Sequence, residues 1–407
     1  MNYIILIKPL FRVVEFISST AIRACFTGLL IFLLASCAAQ PVKISKEPES
    51  FKNAVRTMAA SLIKQILKKQ GRTRKNITVL HSFTNPDTSR ALAVHQKIEE
   101  IFSEQAKLLA EKKMTCKSLT TRTLKDADFI INGIIRRLPN TSSEYILSAS
   151  VINLKKGRVI ARSDVRFKAI DFRLIPGSPM FQENPVSIKD PHMEVSAKMA
   201  QSPLGTITDK EYFSLLETRA MISEAEKSYA DGFYRTALVL LNMVAEREDG
   251  QLIKTYGGIY SACRKIGMKD QAKEAFEKLI SISVGKYRVL TIKFLFRVNS
   301  VKFWKNRDLI EQYDMWLELI GKYFSKSPYC LKILGHSSNT GSERYNKNLS
   351  RERAQKIQNM LKPYFPKIKK QSRITGKGFL DNLSGSGTDD IRDVLDRRVD
   401  FAVEECR

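Results

Sequence analysis

Apolar residues in the first half of the chain recur first at helical spacing and then at strand spacing. Val55, Met58, Leu62 and Ile66 lie three or four positions apart, a period that predicts an amphipathic helix. The segment NITVLHSF has the composition of a strand, and the turn signal TNPD closes it. A second helical period covers residues 89–110. This region is therefore expected to alternate helix, strand and helix.

The next apolar runs predict a sheet. DADFIINGIIRR is typical of a buried strand, and EYILSASVINLKKGRVIARSDVRF alternates on both sides of KKG, as a hairpin does. Helix, strand, helix, strand and hairpin together predict an α/β sandwich over residues 51–172. Residues 173–208 carry five prolines and little periodicity, so we predict a linker there.

Helical period returns over residues 209–287. Gly232–Ala237 aligns with Gly267–Ala272 at an offset of 35 residues. An offset of this size predicts a short array of paired helices. Two repeats rarely stand alone, so we expect them to lean on a neighbouring domain or on flanking helices.

Residues 288–407 return to alternating strands and helices. A strand over residues 289–301 is followed by a helix with one apolar face, a second strand, a second helix and two further strands. This βαβαββ order predicts one mixed sheet with helices packed on one face. The fold class of the whole chain is therefore α+β and multidomain. The apolar face of the first helix carries Leu309, Tyr313, Trp316 and Ile320.

Composition narrows the partners. The chain has 407 residues, 43% of them hydrophobic, which is enough to bury more than one core. Its 68 Lys and Arg against 42 Asp and Glu give a net charge of +26, which attracts anions. The basic residues are spread along the chain with no RNA-binding motif or zinc finger among them, so we predict no nucleic-acid partner. An anionic cell wall, anionic lipid or lipopolysaccharide fits the charge as well.

Residues 1–36 have the pattern of an export leader, in which basic residues precede a short apolar run. The run ends in Leu34-Ala35-Ser36-Cys37, which resembles the lipobox of bacterial lipoproteins. The resemblance implies that Cys37 is acylated and that residues 37–50 form a tether from the membrane. Ala38 after the cysteine resembles the pattern for export to the outer membrane. An ordinary cleaved signal peptide and a short anchor are the alternatives. A start codon placed too early would explain the length of the leader.

Cysteine and histidine usage gives no metal site. Four cysteines remain beyond the leader and Cys37, no CxxC occurs, and the four histidines form no ligand set. We find no nucleophile, base and orienting group at a plausible site. The sequence therefore predicts a binding protein that is not an enzyme and needs no cofactor.

Two regions resemble known protein families. The element order of residues 51–172, with the strand ADFIINGII and the hairpin after it, resembles the FlgO/CsgG-type domains of outer-membrane lipoproteins, which implies an assembly module. The 35-residue offset within residues 209–287 resembles tetratricopeptide repeats. That resemblance implies a groove that docks an unknown protein partner, and a helical spacer is the alternative.

The segment GHSSNTGSERYNKNLSRERA, with GKG before the last strand and RRV within it, resembles the signature of OmpA-like peptidoglycan-binding domains. The resemblance covers residues 288–407 and implies binding to the diaminopimelate stem peptide of the wall. In the family the arginine at position 353 holds a diaminopimelate carboxylate, a role that suits a planar guanidinium. The residues that match the family site by position are Asn299, Thr340, Asn346, Arg353 and one or both of Arg397 and Arg398.

Ser338 departs from the family pattern, because the family usually has an Asp there that holds the ammonium of diaminopimelate. A hydroxyl accepts a hydrogen bond but cannot neutralise a cation, and the lost contact would weaken binding roughly ten- to a hundredfold. Weaker wall binding, a ligand with a modified amine, and a fold kept for protein contacts all remain open. Glu343 is a candidate substitute acid.

The resemblance also implies a disulfide. Cys330 begins the second strand of the last domain and Cys406 ends its last strand. If these strands pair antiparallel, as in OmpA-like domains, the two thiols lie near each other in an oxidising periplasm.

Together these patterns predict a lipoprotein of the outer membrane that faces the periplasm, binds peptidoglycan through its C-terminal domain and docks a protein through its repeats. The alternative is an accessory lipoprotein of a secretion, flagellar or envelope machine whose OmpA-like domain no longer binds the wall.

Overall fold

A computed structural model describes residues 47–69, 75–86, 90–92, 94–139, 141, 143–169, 180, 183–186, 191–304, 307–381 and 396–406. Residues 44–407 form one compact unit. The predicted leader and residues 37–46 of the predicted tether, Cys37 included, lie outside the described residues. Within the described residues, no helix is both long enough and apolar enough to cross a membrane.

The first domain is built on a seven-stranded mixed sheet. Its central strand pairs with parallel neighbours on one side and begins an antiparallel meander on the other. The elements are α1 (Phe51–Lys69), β1 (Asn76–Leu80), β2 (Thr84–Asn85), β3 (Arg90–Ala91), α2 (His95–Leu109), β4 (Met114–Ser118), α3 (Thr121–Lys125), β5 (Phe129–Arg137), β6 (Glu144–Asn153) and β7 (Arg158–Lys168).

Both faces of this sheet are covered. In β5, Ile131 and Ile135 pack in the core formed with α1 and α2. Ile130, one position away, packs instead with Tyr212 and Leu216 on the opposite face. Side chains of a strand alternate between the two faces of its sheet, so the continuous apolar run of β5 reflects burial on both sides.

The prediction of a linker over residues 173–208 is wrong for its second half. Residues 191–201 form α4 (Pro191–Gln201), and Ser150 Oγ donates to the carbonyl oxygen of Met199 at 2.6 Å. Residues 206–208 then pair with the start of β7, where Val159 N donates to the Thr206 oxygen at 2.9 Å. The prolines suggested a linker, but the apolar side chains of α4 cover the sheet.

Residues 210–282 form two helical hairpins, made of α5 (Lys210–Ala230), α6 (Tyr234–Ala245), α7 (Ile253–Lys265) and α8 (Lys269–Ile282). Gly232 and Gly267 occupy equivalent turns with φ of +83° and +80°, values that favour glycine. Phe233 N donates to the Ser228 oxygen at 2.8 Å in the first turn. The equivalent bond of the second turn has the same offset of 35 residues, so the sequence period has a structural counterpart.

The last domain has a four-stranded sheet in the order β10-β9-β11-β8, with β9 and β10 parallel and β11 antiparallel to both neighbours. The order of elements is the predicted βαβαββ. The predicted first strand ends early, at Ile292, because Phe294 and Phe296 turn into the core. The elements are β8 (Val289–Ile292), α9 (Arg307–Ser325), β9 (Tyr329–Gly335), α10 (Glu343–Leu361), β10 (Ser372–Gly376) and β11 (Val399–Glu405).

A disulfide joins the two outer ends of β9 and β11. Glu404 lies opposite Cys330 in the antiparallel register, which brings Cys406 within reach. Cys330 and Cys406 form the disulfide that the resemblance implied, with their Cα atoms 4.9 Å apart. This separation lies within the range that unstrained disulfides need.

One continuous core joins the helical hairpins to the last domain. Trp316 on α9 donates from Nε1 to the hydroxyl oxygen of Tyr260 on α7 at 2.8 Å. Its ring stacks on Phe276 of α8 with centroids 5.7 Å apart. The hairpins therefore pack against α9, which supplies the neighbouring surface that two repeats need for stability.

A short extended segment strengthens the same junction. Val186 pairs with Ile292 at the edge of the last sheet, and Lys293 N donates to the Pro185 oxygen at 3.0 Å. A Cβ at Gly257 would lie 1.9 Å from the Asn184 amide nitrogen, so a larger residue there would displace the Asn184 side chain. Residues 183–186 thus fill the space between α7 and β8.

Trp316→Ala should lower the free energy of unfolding by about 3–5 kcal/mol, because it removes a buried indole at the shared core. Urea titration followed by far-ultraviolet circular dichroism measures the change. Ile310→Ala on the same helix is the control, since Ile310 is 43% exposed and its truncation should change stability by only about 0.5 kcal/mol. Equal effects of the two substitutions would contradict the shared core.

Candidate functional site

The loop that leaves β9 is fixed to the first turn of α10. Ser342 caps the helix by accepting a hydrogen bond from Tyr345 N at 3.3 Å. Asn346 is buried, and its Nδ2 donates to the carbonyl oxygens of Thr340 at 2.8 Å and Ser342 at 3.2 Å. Gly341 has a φ of +93°, which explains a glycine at this turn. Asn346 therefore shapes the loop that carries the other signature residues.

The GKG motif begins at the last residue of β10 and packs against the same helix, α10. Ser337 N donates to the Gly378 oxygen at 2.9 Å, and Gly378 N donates to Ser350 Oγ at 2.9 Å. A Cβ at Gly376 would lie 2.1 Å from the Lys347 carbonyl oxygen. The first glycine of the motif is therefore required by close backbone packing, and Ser350 holds the second.

Arg353 is fully buried. Its Nε donates to the Ser300 oxygen at 3.1 Å, Nη1 to the His336 oxygen at 3.0 Å and Nη2 to the Arg297 oxygen at 3.0 Å. The guanidinium also lies 5.2 Å from the centre of the Phe296 ring. Arg353 is therefore not a solvated surface arginine. Carboxylate binding by Arg353 stays a prediction, and the observed role is to tie two loops to α10.

Arg397 and Arg398 lie immediately before β11 and point in opposite directions. Arg397 is fully buried, and its Nε donates to the Phe296 oxygen at 3.0 Å, on the same loop that Arg353 holds. Arg398 donates from Nη2 to the Asp381 oxygen at 3.1 Å, in the loop after β10. Arg397 therefore lies on the side of Arg353, a choice that the sequence left open.

Asp400 is a buried acid that the sequence analysis missed. It accepts two hydrogen bonds from Arg398, both at 3.2 Å, and lies 2.9 Å from His336 Nε2. Burial by itself raises the pKa of Asp400, but the His336 hydrogen bond and the Arg398 charge outweigh it and lower the pKa below its usual value. The available signal was its position two residues after Arg398, a spacing that puts both side chains on one side of an extended chain. The described part of the chain has no group of three His, Cys, Asp or Glu placed to hold a metal ion.

The remaining predicted residues lie on the loops after β8 and β9. Ser338 is buried, whereas Thr340 and Asn299 are exposed. Asn299 has a φ of +49°, a left-handed conformation that asparagine tolerates better than most residues. Glu343, the candidate substitute acid, is exposed on the first turn of α10. Arg353 donates hydrogen bonds to carbonyl oxygens after β8 and after β9. The structure therefore brings these two loops together.

A cleft of about 520 Å³ opens further along α10. Lys356 helps to wall it by donating to the Val301 oxygen at 3.0 Å, and its ammonium lies 4.2 Å from the centre of the Phe303 ring. Burial and the neighbouring Lys302 lower the pKa of Lys356. None of the predicted site residues lines this cleft, whose walls are Val301, Glu352, Gln355, Lys356, Asn359 and Met360.

No protein-family profile and no curated protein matches the chain. Solved structures are similar to parts of it. The peptidoglycan-associated lipoprotein from Burkholderia pseudomallei is 20% identical, with 27% of this chain and 88% of that chain covered and a TM-score of 0.24. The periplasmic domain of Helicobacter pylori MotB is 18% identical, with 29% and 74% covered and a TM-score of 0.23.

The cell wall anchor of the T6SS from Pseudomonas aeruginosa is 22% identical, with 29% of this chain and 81% of that chain covered and a TM-score of 0.23. Each of these similarities covers less than a third of this chain. At such TM-scores the likeness decides nothing about function, which rests on the chain's own residues.

Arg353→Ala should lower the free energy of unfolding by at least about 2 kcal/mol, because it leaves buried carbonyl oxygens of two loops without their donor. Arg351→Ala is the matched control, since Arg351 is exposed on the same helix and should change stability by only about 0.5 kcal/mol. Thermal unfolding of both variants measures the difference. A stable Arg353→Ala protein would show that the three hydrogen bonds do not hold the loops.

Proposed function

We propose that the chain is an outer-membrane lipoprotein whose last domain is OmpA-like and binds peptidoglycan non-covalently. The observation that carries the proposal is the convergence of the signature at one end of the last sheet. Asn346 holds the loop after β9, and Ser350 holds the GKG loop at Gly378. Arg353 connects this end of the sheet to the loop after β8. In this proposal the protein binds peptidoglycan, connects it to the outer membrane and is not an enzyme.

The arginines supply the chemistry for a wall carboxylate. Arg353 and Arg397 both donate to carbonyl oxygens of residues 296–300, so this loop covers two guanidinium groups. A carboxylate is a stronger acceptor for a guanidinium than a backbone carbonyl is, because it carries an opposite charge and can accept two parallel N–H bonds. Diaminopimelate carboxylates would therefore compete with the loop for these donors. The exposed Asn299 and Thr340 would make the first contacts at its mouth.

The membrane attachment in this proposal is lipid on Cys37. The first described residues support a tether that ends on the sheet, because Glu49 N donates to the Arg166 oxygen at 3.1 Å and Lys168 N donates to the Glu49 oxygen at 2.8 Å. In this proposal the tether predicted over residues 37–50 connects the lipidated Cys37 to the first domain. The resemblance to FlgO/CsgG-type domains makes the first domain an assembly module.

A protein partner on the helical hairpins completes the proposal. The hairpins resemble tetratricopeptide repeats, whose surfaces dock proteins. Trp316 of α9 already covers part of α7 and α8, which leaves the α5–α6 hairpin for a partner. Val239 and Met243 lie one turn apart on α6 and are 59% and 50% exposed, so an apolar helix of the partner suits this surface.

Two observations favour the alternative, an accessory lipoprotein of a secretion, flagellar or envelope machine without wall binding. Ser338 lacks the charge of the family acid, and Arg353 has no exposed surface. In that case the site residues would serve only to hold the loops together.

Sedimentation with purified sacculi tests wall binding. The full chain should co-sediment, and the double substitution Asn299→Ala and Thr340→Val should weaken retention roughly tenfold, because it removes polar contacts at the mouth of the site. Thr375→Val, on an exposed position of β10 outside the site, is the control and should be retained as the wild type is. Equal retention of all three proteins would reject binding through this site and favour the alternative function.

Labelling of cells with radioactive palmitate tests the anchor. The wild-type chain should incorporate label and fractionate with the outer membrane, because acylation of the mature N-terminus holds a lipoprotein there. Cys37→Ser should remove both the label and the membrane fraction. Cys116→Ser is the control, since it changes a cysteine of β4 and should leave labelling unchanged. Label on the Cys37→Ser protein would contradict the predicted lipidation.

A further inference from the structure

A pocket of about 390 Å³ opens in the first domain, where α1 ends beside the seven-stranded sheet. Lys69, the last residue of α1, forms one wall, and Lys156 in the turn between β6 and β7 forms another. The volume lies within the range of pockets that hold small organic ligands. None of the residues predicted for the peptidoglycan site lines this pocket.

Three adjacent strands place side chains of the pocket next to one another. Phe129 of β5 lies opposite Asn153 of β6, and Asn153 lies opposite Arg158 of β7. Residues paired in this way project from the same face of the sheet. This is the face that α1 covers, because Phe129 packs in the core that α1 helps to form. The register therefore puts a guanidinium and an amide beside a buried aromatic ring.

Local hydrogen bonds hold the polar groups of the pocket. The Lys69 ammonium donates to the carbonyl oxygen of Ile160, which keeps it at the pocket and leaves further N–H donors on the same nitrogen. Lys156 N donates to Asn153 Oδ1 at 2.8 Å. This bond fixes the orientation of the Asn153 amide and leaves its Nδ2 as a donor for a ligand.

Three positive charges line the pocket. They belong to Lys69, Lys156 and Arg158, and none of them makes a salt bridge with a residue that the structure describes. The five residues that follow Lys69 in the sequence contain two arginines and no acid. The carboxyl end of α1 contributes about half a negative charge, which is small beside three full positive charges. The pocket therefore attracts anions.

The acids in neighbouring segments do not neutralise these charges. Asp128 accepts a hydrogen bond from a backbone N–H of β1 at 3.3 Å and lies 3.7 Å from the Lys155 ammonium. Asp209 caps α5 by accepting from a backbone N–H of its first turn at 3.0 Å. Asp126 is exposed beyond the end of α3. Among the residues that the structure describes, no acid lines the pocket.

We propose that this pocket binds a phosphomonoester. Such a group carries a charge of about −1.5 to −2 near pH 7 and three acceptor oxygens, so it matches three cations and an amide donor better than a single carboxylate does. The Arg158 guanidinium can donate two parallel bonds to phosphate oxygens, and the two lysines add compact charges. Phe129 and Ile160 offer apolar contact to the group that carries the phosphate.

The proposal does not depend on wall binding. Two sources share the recognised chemistry, namely a soluble phosphorylated compound and a lipid whose headgroup ends in a phosphate. Both present the same terminal group to the three cations, and they differ in what lies behind it.

Isothermal titration calorimetry with the full chain tests the ligand class. Glycerol 3-phosphate should bind at least about tenfold more tightly than glycerate, which presents a carboxylate on a carbon chain of similar size. Binding should weaken as the pH falls from about 7.5 to about 5.5, since the phosphate has a second pKa near 6 and takes up a proton in this range. Equal binding of the two compounds would overturn the proposed class.

Substitutions test the pocket itself. Lys156→Gln combined with Arg158→Gln should weaken binding of glycerol 3-phosphate roughly tenfold or more, because two charge-assisted contacts are lost. Lys52→Gln combined with Lys64→Gln is the matched control, since it removes two exposed positive charges of α1 outside the pocket. It should bind as the wild type does.

Equal loss in both double variants would overturn the pocket, because net charge alone would then explain the binding. Lys156→Gln alone changes an exposed turn residue and should weaken binding about threefold. This single variant decides the question if the double variant does not fold.

Vesicle sedimentation distinguishes the two sources. The Cys37→Ser chain is used so that the predicted lipid does not contribute, and phosphatidylcholine vesicles carry either phosphatidic acid, a phosphomonoester, or phosphatidylglycerol, a phosphodiester. Stronger retention on phosphatidic acid would support a lipid ligand. Binding of glycerol 3-phosphate without that preference would support a soluble one. Failure to bind glycerol 3-phosphate together with equal retention on both vesicles would overturn the proposal.

Discussion

The buried guanidinium of Arg353 is the interaction on which the geometry of the predicted site depends. A guanidinium carries five donors in a planar fork, so one side chain on α10 can hold Arg297 and Ser300 from one loop and His336 from the end of β9. Neither lysine nor glutamine has donors in that arrangement. The helix, the loop and the strand therefore keep one arrangement for as long as this side chain stays in place.

The helical hairpins depend on the last domain in a comparable way. Two hairpins expose an apolar end that a longer array would cover with further repeats. Here Trp316 covers it, and its indole hydrogen bond to Tyr260 satisfies a polar group inside the core. Residues 183–186 cover the edge of β8 from the same side, which removes an open strand edge. The two regions are thus parts of one folded unit.

Periodic segments were predictable from the sequence, and long-range contacts were not. The 35-residue offset located the turns at Gly232 and Gly267 because each turn is a local structure. Residues 191–208 were misjudged, since a short helix among prolines shows its role only when the sheet that it covers is known. The burial of Arg353 and the partners of Asp400 depend on segments distant in the chain, so no local pattern contains them. The direction of Arg397, which lies just before β11, is set by its hydrogen bond to the distant Phe296 oxygen.

The segments that precede and follow the first domain pair with opposite ends of its strand β7. Glu49 pairs at the Phe167 end of β7, whereas Thr206 and Thr208 pair at its opposite end, next to the start of α5. The chain thus enters the sheet at one end of a strand and leaves it about 25 Å away, at the usual rise of about 3.3 Å per residue. Because the hairpins share a core with the last domain, a force applied to the hairpins would reach the loops held by Arg353 through packed side chains and not through a flexible linker.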